Sequence, residues 1–248
     1  MKVFSVYGIC DSGKTMSIEK ISAELRKRRY SVGSIKEIHY DQFAIDRKGS
    51  NTDRHKNAGA QLVTALGNSE TDILYQKPLP LEEILKFYNQ DIVVIEGNRE
   101  GNFPKILAAH SLADIENQLD DTTFAITGVI SNHITTYRGI PVINALEDIS
   151  HLVDLIEEKI FERLPDFPPD CCCACGMSCR DLCKAIVKGK ARREDCQLSK
   201  SNVQFFMDGN PIDMVPFVQR ILENAVRGVV SQLEGYGEQG VIEIKIGF

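Results

Sequence analysis

The chain has 248 residues, 43% hydrophobic and 26% charged, which suits an ordinary globular protein with one large α/β domain and a small second one. Its formal net charge of −6 argues against a general nucleic-acid binder, and no apolar run is long enough to cross a bilayer. The first seven residues hold a charge and an apolar stretch but run straight into a glycine loop with no small-residue cleavage site, so they read as a strand, with a cytoplasmic location as the default.

Residues 3–7 are the first strand candidate. Gly8-Ile9-Cys10-Asp11-Ser12-Gly13-Lys14-Thr15 follows directly and fits the P-loop pattern, and Ile18, Ile21 and Leu25 then recur on one face of a helix. Gly8 and Gly13 let the backbone turn its N–H groups inward as an anion nest at a helix N-terminus. Asp11 and Ser12 complete the loop, Lys14 would neutralise β- and γ-phosphates, and the Thr15 hydroxyl would ligate Mg2+. Cys10 reads as a loop filler.

A second short strand is expected over residues 32–35. Residues 37–57 are polar and charged without a sustained period, which is long for a structureless connection and points to a functional loop or lid. Asp41, Asp46, Asp53, Arg54 and His55 make it a candidate switch that senses the γ-phosphate or holds substrate. The plainer reading is a solvated charged loop, with His39 and His55 as polar contacts and not acid–base groups. Apolar segments return at residues 62–66, 73–75, 92–95, 106–109, 124–130 and 142–143, with helix candidates at 81–88 and 146–164. That alternation predicts a P-loop α/β domain whose mostly parallel sheet is covered on both faces.

Ile92-Val93-Val94-Ile95-Glu96-Gly97 reads as a buried strand ending in a carboxylate beside the metal, with Glu96 where Asp is usual. No Asn-Lys-x-Asp segment occurs, so motif chemistry does not choose GTP over ATP. Phosphate binding does not establish hydrolysis either; the catalytic base is unassigned, with Lys14, Asp41 and Glu96 as candidates.

Pro165, Pro168 and Pro169 end the first domain at residue 164 and make residues 165–170 a semi-rigid linker. Seven of the eight cysteines then fall between Cys171 and Cys196, a distribution that suits a metal site better than a disulfide framework. Thiolates in this spacing suit a 4Fe–4S cluster, and a four-cysteine zinc site is the competitor. After this cysteine-rich segment, 171–198, residues 203–207 and 212–214 flank the turn Asp208-Gly209-Asn210-Pro211. A helix at 215–233 and an alternating strand at 241–246 complete a small ββαβ unit over 199–248, expected to pack on the main domain or on a second copy.

Residues 1–164 resemble the MobB family, molybdopterin-guanine dinucleotide biosynthesis protein B. The likeness rests on the phosphate loop and Gly33-Ser34-Ile35-Lys36, with His39, Asp41 and Asp46 following. It continues through Asp53-Arg54-His55-Lys56-Asn57-Ala58-Gly59-Ala60, Val93-Val94-Ile95-Glu96-Gly97 and Pro104-Lys105-Ile106. Where the family commonly has two neighbouring histidines this chain has Glu37-Ile38-His39-Tyr40, and Glu-Gly-Phe-Lys is replaced by Glu96-Gly97-Asn98-Arg99. The resemblance implies a GTP-binding, weakly hydrolysing accessory protein of molybdopterin guanine dinucleotide formation, contacting nucleotide through the loop, His39, Asp46, Arg54 and Glu96. It implies a homodimer beside a molybdopterin nucleotidyltransferase, serving a molybdenum or tungsten enzyme. Cys172-x2-Cys175-x3-Cys179-x16-Cys196 in turn resembles the four-cysteine iron–sulfur domain of Rnf-type electron-transport proteins and corrinoid iron–sulfur proteins. That pattern has four residues between its second and third cysteines, and the shortened gap here leaves Cys171, Cys173 and Cys183 as alternate ligands.

Overall fold

The computed structural model describes residues 1–40, 43–168, 172, 174–200, 203–207, 209–212, 214–234, 236–237 and 241–244. The chain divides into two compact units, Met1–Glu162 and Arg163–Phe248.

In the first unit the chain runs through β1 (Lys2–Tyr7), α1 (Lys14–Lys27), β2 (Val32–Lys36), α2 (Asn51–Asn57), β3 (Leu62–Leu66), β4 (Thr71–Tyr75) and α3 (Leu81–Leu85). It continues with β5 (Ile92–Glu96), β6 (Lys105–Ala108), α4 (Leu112–Gln118), β7 (Thr123–Thr127), β8 (Thr136–Tyr137), β9 (Ile140–Pro141) and α5 (Ile149–Lys159). Five strands form one parallel sheet in the order β2-β5-β1-β6-β7. Strands β5, β6 and β7 are buried along their whole length, as expected of parallel strands covered on both faces. One core cluster joins Val3, Ile35, Val93 and Ile95 to Leu85 of α3; another joins Tyr7, Leu107 and Ile126 to Ile115 of α4. Helix α1 buries Ile18, Ile21 and Leu25 and packs beside α5, to which Arg28 ties it through Asp154 (2.5 Å) and Glu157 (2.6 Å).

Several sequence expectations are revised. The segment 37–57 is not structureless throughout, because Ser50 caps α2 by accepting from the Asp53 N–H. Segments 62–66 and 73–75 do not join the parallel sheet. The connection between them is too short for a crossover, so they pair antiparallel as a hairpin of their own, closed by the Gly67 N–H to the Glu70 carbonyl at 2.9 Å. Helix α3 stops at Leu85, and α5 covers only Ile149–Lys159, since Ile160 is extended and Glu162 bridges to Lys2 of β1.

The second unit holds α6 (Cys179–Val187), the antiparallel hairpin β10 (Phe205–Met207) with β11 (Asn210–Ile212), and α7 (Pro216–Val230). Ser178 caps α6, whose Leu182, Cys183 and Val187 are buried. By contrast α7 buries no residue, although its apolar side chains recur at helical spacing as the sequence suggests. Residues 241–244 take no strand pairing, and the rest of the predicted last strand lies outside the described residues, as do Asp208 of the predicted turn and linker residues 169–170.

Candidate functional site

Strand β1 is central, with β5 and β2 on one side and β6 and β7 on the other, so the loops leaving their carboxyl ends meet around the phosphate loop. Gly8 has φ +146, and a Cβ there would stand 2.0 Å from the Ala108 carbonyl oxygen; only glycine lets the loop pass this close to β6. From the far side Gly128, after β7, brings its backbone against the Ser12 carbonyl, 2.2 Å from where a Cβ would sit.

Ser12 is fully buried and its hydroxyl donates to the Ile9 carbonyl at 2.9 Å, which fixes the loop's curl. The Lys14 ammonium donates to the carbonyls of Gly8 (3.1 Å) and Ile9. Helices α2, α4, α5 and α6 are each capped by a Ser or Asp side chain, whereas α1, like α3 and α7, has no side-chain cap. Of these three, α1 is the one that starts from the curled loop, with Gly13 at its N-cap and no acidic residue in its first turn. Its leading N–H groups and positive dipole end are left to an anion.

Beside this nest the Thr15 hydroxyl donates to Glu96 Oε1 at 3.0 Å, and Glu96 is almost wholly buried. A hydroxyl and a carboxylate in contact at the phosphate end of α1 suit a small, hard, oxygen-loving cation. Lys36 reaches the same oxygen at 3.1 Å, because β2 and β5 place Lys36 opposite Glu96 in register. Around the next turn Glu37 accepts from the Asn98 amide at 2.5 Å and lies 3.9 Å from the exposed His39 ring. The loop that follows Glu96 is held from below by Lys105. Its fully buried ammonium donates to the Gly101 carbonyl (2.8 Å) and the Thr122 hydroxyl (2.8 Å) and pairs with Asp120 (3.3 Å).

The structure thus gathers Gly8, Asp11, Ser12, Gly13, Lys14, Thr15 and Glu96 at the carboxyl end of the sheet, with His39 in the adjoining turn. Asp46 is occupied elsewhere: it accepts from the hydroxyls of Ser50 (2.8 Å) and Thr52 (2.9 Å) and pairs with Lys56 at 2.9 Å. The Lys56 ammonium first, then the Ser50 hydroxyl, hold its carboxyl down at about 2. In this conformation Asp46 secures α2, and Arg54 and His55 are exposed on that helix. Asp41 lies outside the described residues.

Sequence reasoning missed two neighbours of the loop. Lys36 lies one residue past the strand expected over 32–35 and enters the sequence reading only as part of the family resemblance; β2 extends to include it, and its pairing with β5 puts Lys36 beside Glu96. His110 follows β6 and its Nε2 lies 2.7 Å from the Asp11 carbonyl, at the residue of the loop with φ +56; no motif marks it.

In the second unit Cys172, Cys175 and Cys179 are half-buried, and Cys183 and Cys196 are buried. Burial first, and then the nearby Cys196 and Cys172 sulfurs and Asp166, push the Cys179 thiol up against a lowering hydrogen bond from the Phe167 backbone. Among the described residues no three His, Cys, Asp or Glu side chains form a ready metal cage, and Cys171 and Cys173 lie outside those residues. No helix among the described residues is long and apolar enough to cross a membrane.

Residues 3–132 match the family model described as molybdopterin guanine dinucleotide synthesis protein B. A Methanocaldococcus jannaschii relative with the provisional name molybdopterin-guanine dinucleotide biosynthesis adapter protein is 32% identical over 255 residues, covering 99% of this chain and 97% of its own length. A Bacillus subtilis protein of similar provisional name is 26% identical over 64% of this chain and 92% of its own. The crystal structure of Bacillus subtilis MobB superposes with a TM-score of 0.55 at 24% identity, covering 66% of this chain and all of that one, which supports the fold alone. The phosphate loop, its acidic neighbour and the family match over more than half of the residues agree: the chain belongs to the MobB family.

Proposed function

We propose that this chain is a guanine-nucleotide-binding accessory protein of molybdopterin guanine dinucleotide formation, acting beside the nucleotidyltransferase that attaches the nucleotide and serving a molybdenum or tungsten enzyme. The observation that carries this reading is the uncapped start of α1 above the curled loop, with the Thr15–Glu96 pair at its side, inside the segment that defines the family. Thr15 and Glu96 would hold Mg2+, which when bound supplies charge neutralisation to the β- and γ-phosphates. Gly8, Gly13 and Lys14 bind and orient the phosphates; the positioning of Ser12 keeps the nest closed.

Slow GTP hydrolysis is part of the proposal. Purified protein with Mg2+ should release phosphate from GTP at a low steady rate that disappears in Lys14→Ala. A rate unchanged by that substitution would assign the activity to a contaminant and leave a non-catalytic adapter. One observation favours that second reading: Glu96 is already engaged by Thr15 and Lys36, so it is not a free base.

Two further parts rest on separate observations. The β3–β4 hairpin turns Leu62, Leu66 and Ile73 outward, an exposed apolar ribbon that supports a homodimer. In the second unit we read residues 171–198 as a cysteine-rich segment before a small hairpin-and-helix unit over 199–248. Cys172, Cys175, Cys179 and Cys196 would hold a 4Fe–4S cluster that senses redox state or contacts a partner. An all-sulfur donor set fits such a cluster, and zinc is the competing occupant.

A further inference from the structure

We infer that Lys36 is a second phosphate-binding lysine, which distinguishes nucleoside triphosphate from diphosphate and is released to do so when Mg2+ takes Glu96. The inference rests on the nucleotide-binding reading above. Glu96 Oε1 carries two donors at once, the Thr15 hydroxyl at 3.0 Å and the Lys36 ammonium at 3.1 Å. Thr15 and Glu96 are the groups that suit the cation, so Lys36 occupies a place from which a divalent ion would displace it. Two positive charges do not share one carboxylate oxygen readily at this separation.

The two lysines of the site differ in their commitments. Lys14 is folded onto the loop carbonyls of Gly8 and Ile9, where the β-phosphate would be received. Lys36 stands on the other flank, above β2, on the side of β1 that carries Glu96. The Lys36 side chain is 56% exposed while that of Glu96 is 11% exposed, so the lysine is the partner free to swing and the carboxylate is the fixed one. A triphosphate bound with its β-phosphate in the loop and its metal at Thr15 and Glu96 directs its γ-phosphate toward this flank. There the displaced ammonium regains an anionic partner as a compact, mobile point charge. A diphosphate offers no such partner, so the contact belongs to the triphosphate state alone.

The test measures equilibrium affinities of GTP and GDP with Mg2+ for the full-length protein, Lys36→Met and Lys36→Arg, with Lys14→Ala as reference. Loss of one charge-assisted contact lowers the GTP-over-GDP preference of Lys36→Met about tenfold, leaves GDP affinity within about twofold, and is largely restored in Lys36→Arg. If Lys36 only neutralises Glu96, Lys36→Met keeps the wild-type GTP-to-GDP ratio, and that result overturns the inference. Thermal melting of each variant checks that an unchanged fold underlies the comparison; equal loss of both nucleotides with a lowered melting point also counts against it. Failure of the underlying reading looks different, because the wild-type protein would then bind neither nucleotide or Lys14→Ala would bind both normally.

Discussion

At the scale of single residues, the loop's shape depends on positions where no side chain fits. Gly8→Ala would set a Cβ 2.0 Å from the Ala108 carbonyl at φ +146, so the loop must shift. We expect a stability loss of about 1–3 kcal/mol from backbone strain, with nucleotide affinity falling further than the melting temperature alone would suggest. Calorimetry and nucleotide titration on the same sample check this; normal affinity in Gly8→Ala would contradict the described loop. Asp46 makes a pH-dependent prediction. Its folded-state pKa is depressed to about 2 by Lys56 and Ser50, so its contribution is present above the ordinary carboxylate range and is lost as pH falls toward 2. Amide exchange in α2 should therefore be protected from about pH 5 upward and accelerate below about pH 3. In Asp46→Asn, α2 should already exchange fast at neutral pH. Equal protection in both proteins would show that the carboxylate does not secure the helix.

At the scale of elements, α4 offers a clean control. Ser111 and Asp114 form a reciprocal capping box at its start, remote in role from phosphate binding. Ser111→Ala should cost about 1 kcal/mol of stability and leave nucleotide affinity unchanged. A loss of binding there would mean that the β6–α4 turn, with His110 on the Asp11 carbonyl, takes part in the site. The outer elements also show what the sequence does and does not disclose. The phosphate loop, β1, α1 and β5 are legible because short-range pattern and spacing determine them: an apolar strand, two glycines, a lysine and a helical apolar face. The Lys36–Glu96 contact is not, since it depends on β2 pairing with a strand 60 residues later in register. Segments 62–66 and 73–75 look like any other strands, and only the brevity of the turn between them excludes the parallel sheet. Loop composition and family resemblance both point Asp46 toward the nucleotide, whereas its neighbours Ser50, Thr52 and Lys56 engage its oxygens locally.

At the scale of the whole molecule, the Methanocaldococcus jannaschii relative aligns along nearly the full chain, whereas the two Bacillus subtilis comparisons cover a share close to that of the first unit. The alignment with the Methanocaldococcus jannaschii relative therefore takes in the second unit as well as the first. If its cysteines hold a cluster, anaerobically purified protein should contain iron and acid-labile sulfide in equal amounts, and Cys179→Ser with Cys196→Ser should remove both. Stoichiometric zinc without sulfide would replace the cluster with a structural zinc site. Because burial raises the Cys179 thiol, metal loading must displace a firmly held proton and should weaken as pH falls. Assembly is tested on the first unit: Leu66→Asp combined with Ile73→Asp should convert a dimer to a monomer in sedimentation, while an unchanged mass would remove the hairpin from the interface.

The central claim is that the loop of residues 8–15 binds guanine nucleotide, and direct titration of the full-length protein with GTP and ATP in the presence of Mg2+ tests it. Saturable GTP binding, at least about tenfold tighter than ATP and abolished in Lys14→Ala, is the predicted result. Equal or tighter binding of ATP, or undiminished GTP binding in Lys14→Ala, would contradict it.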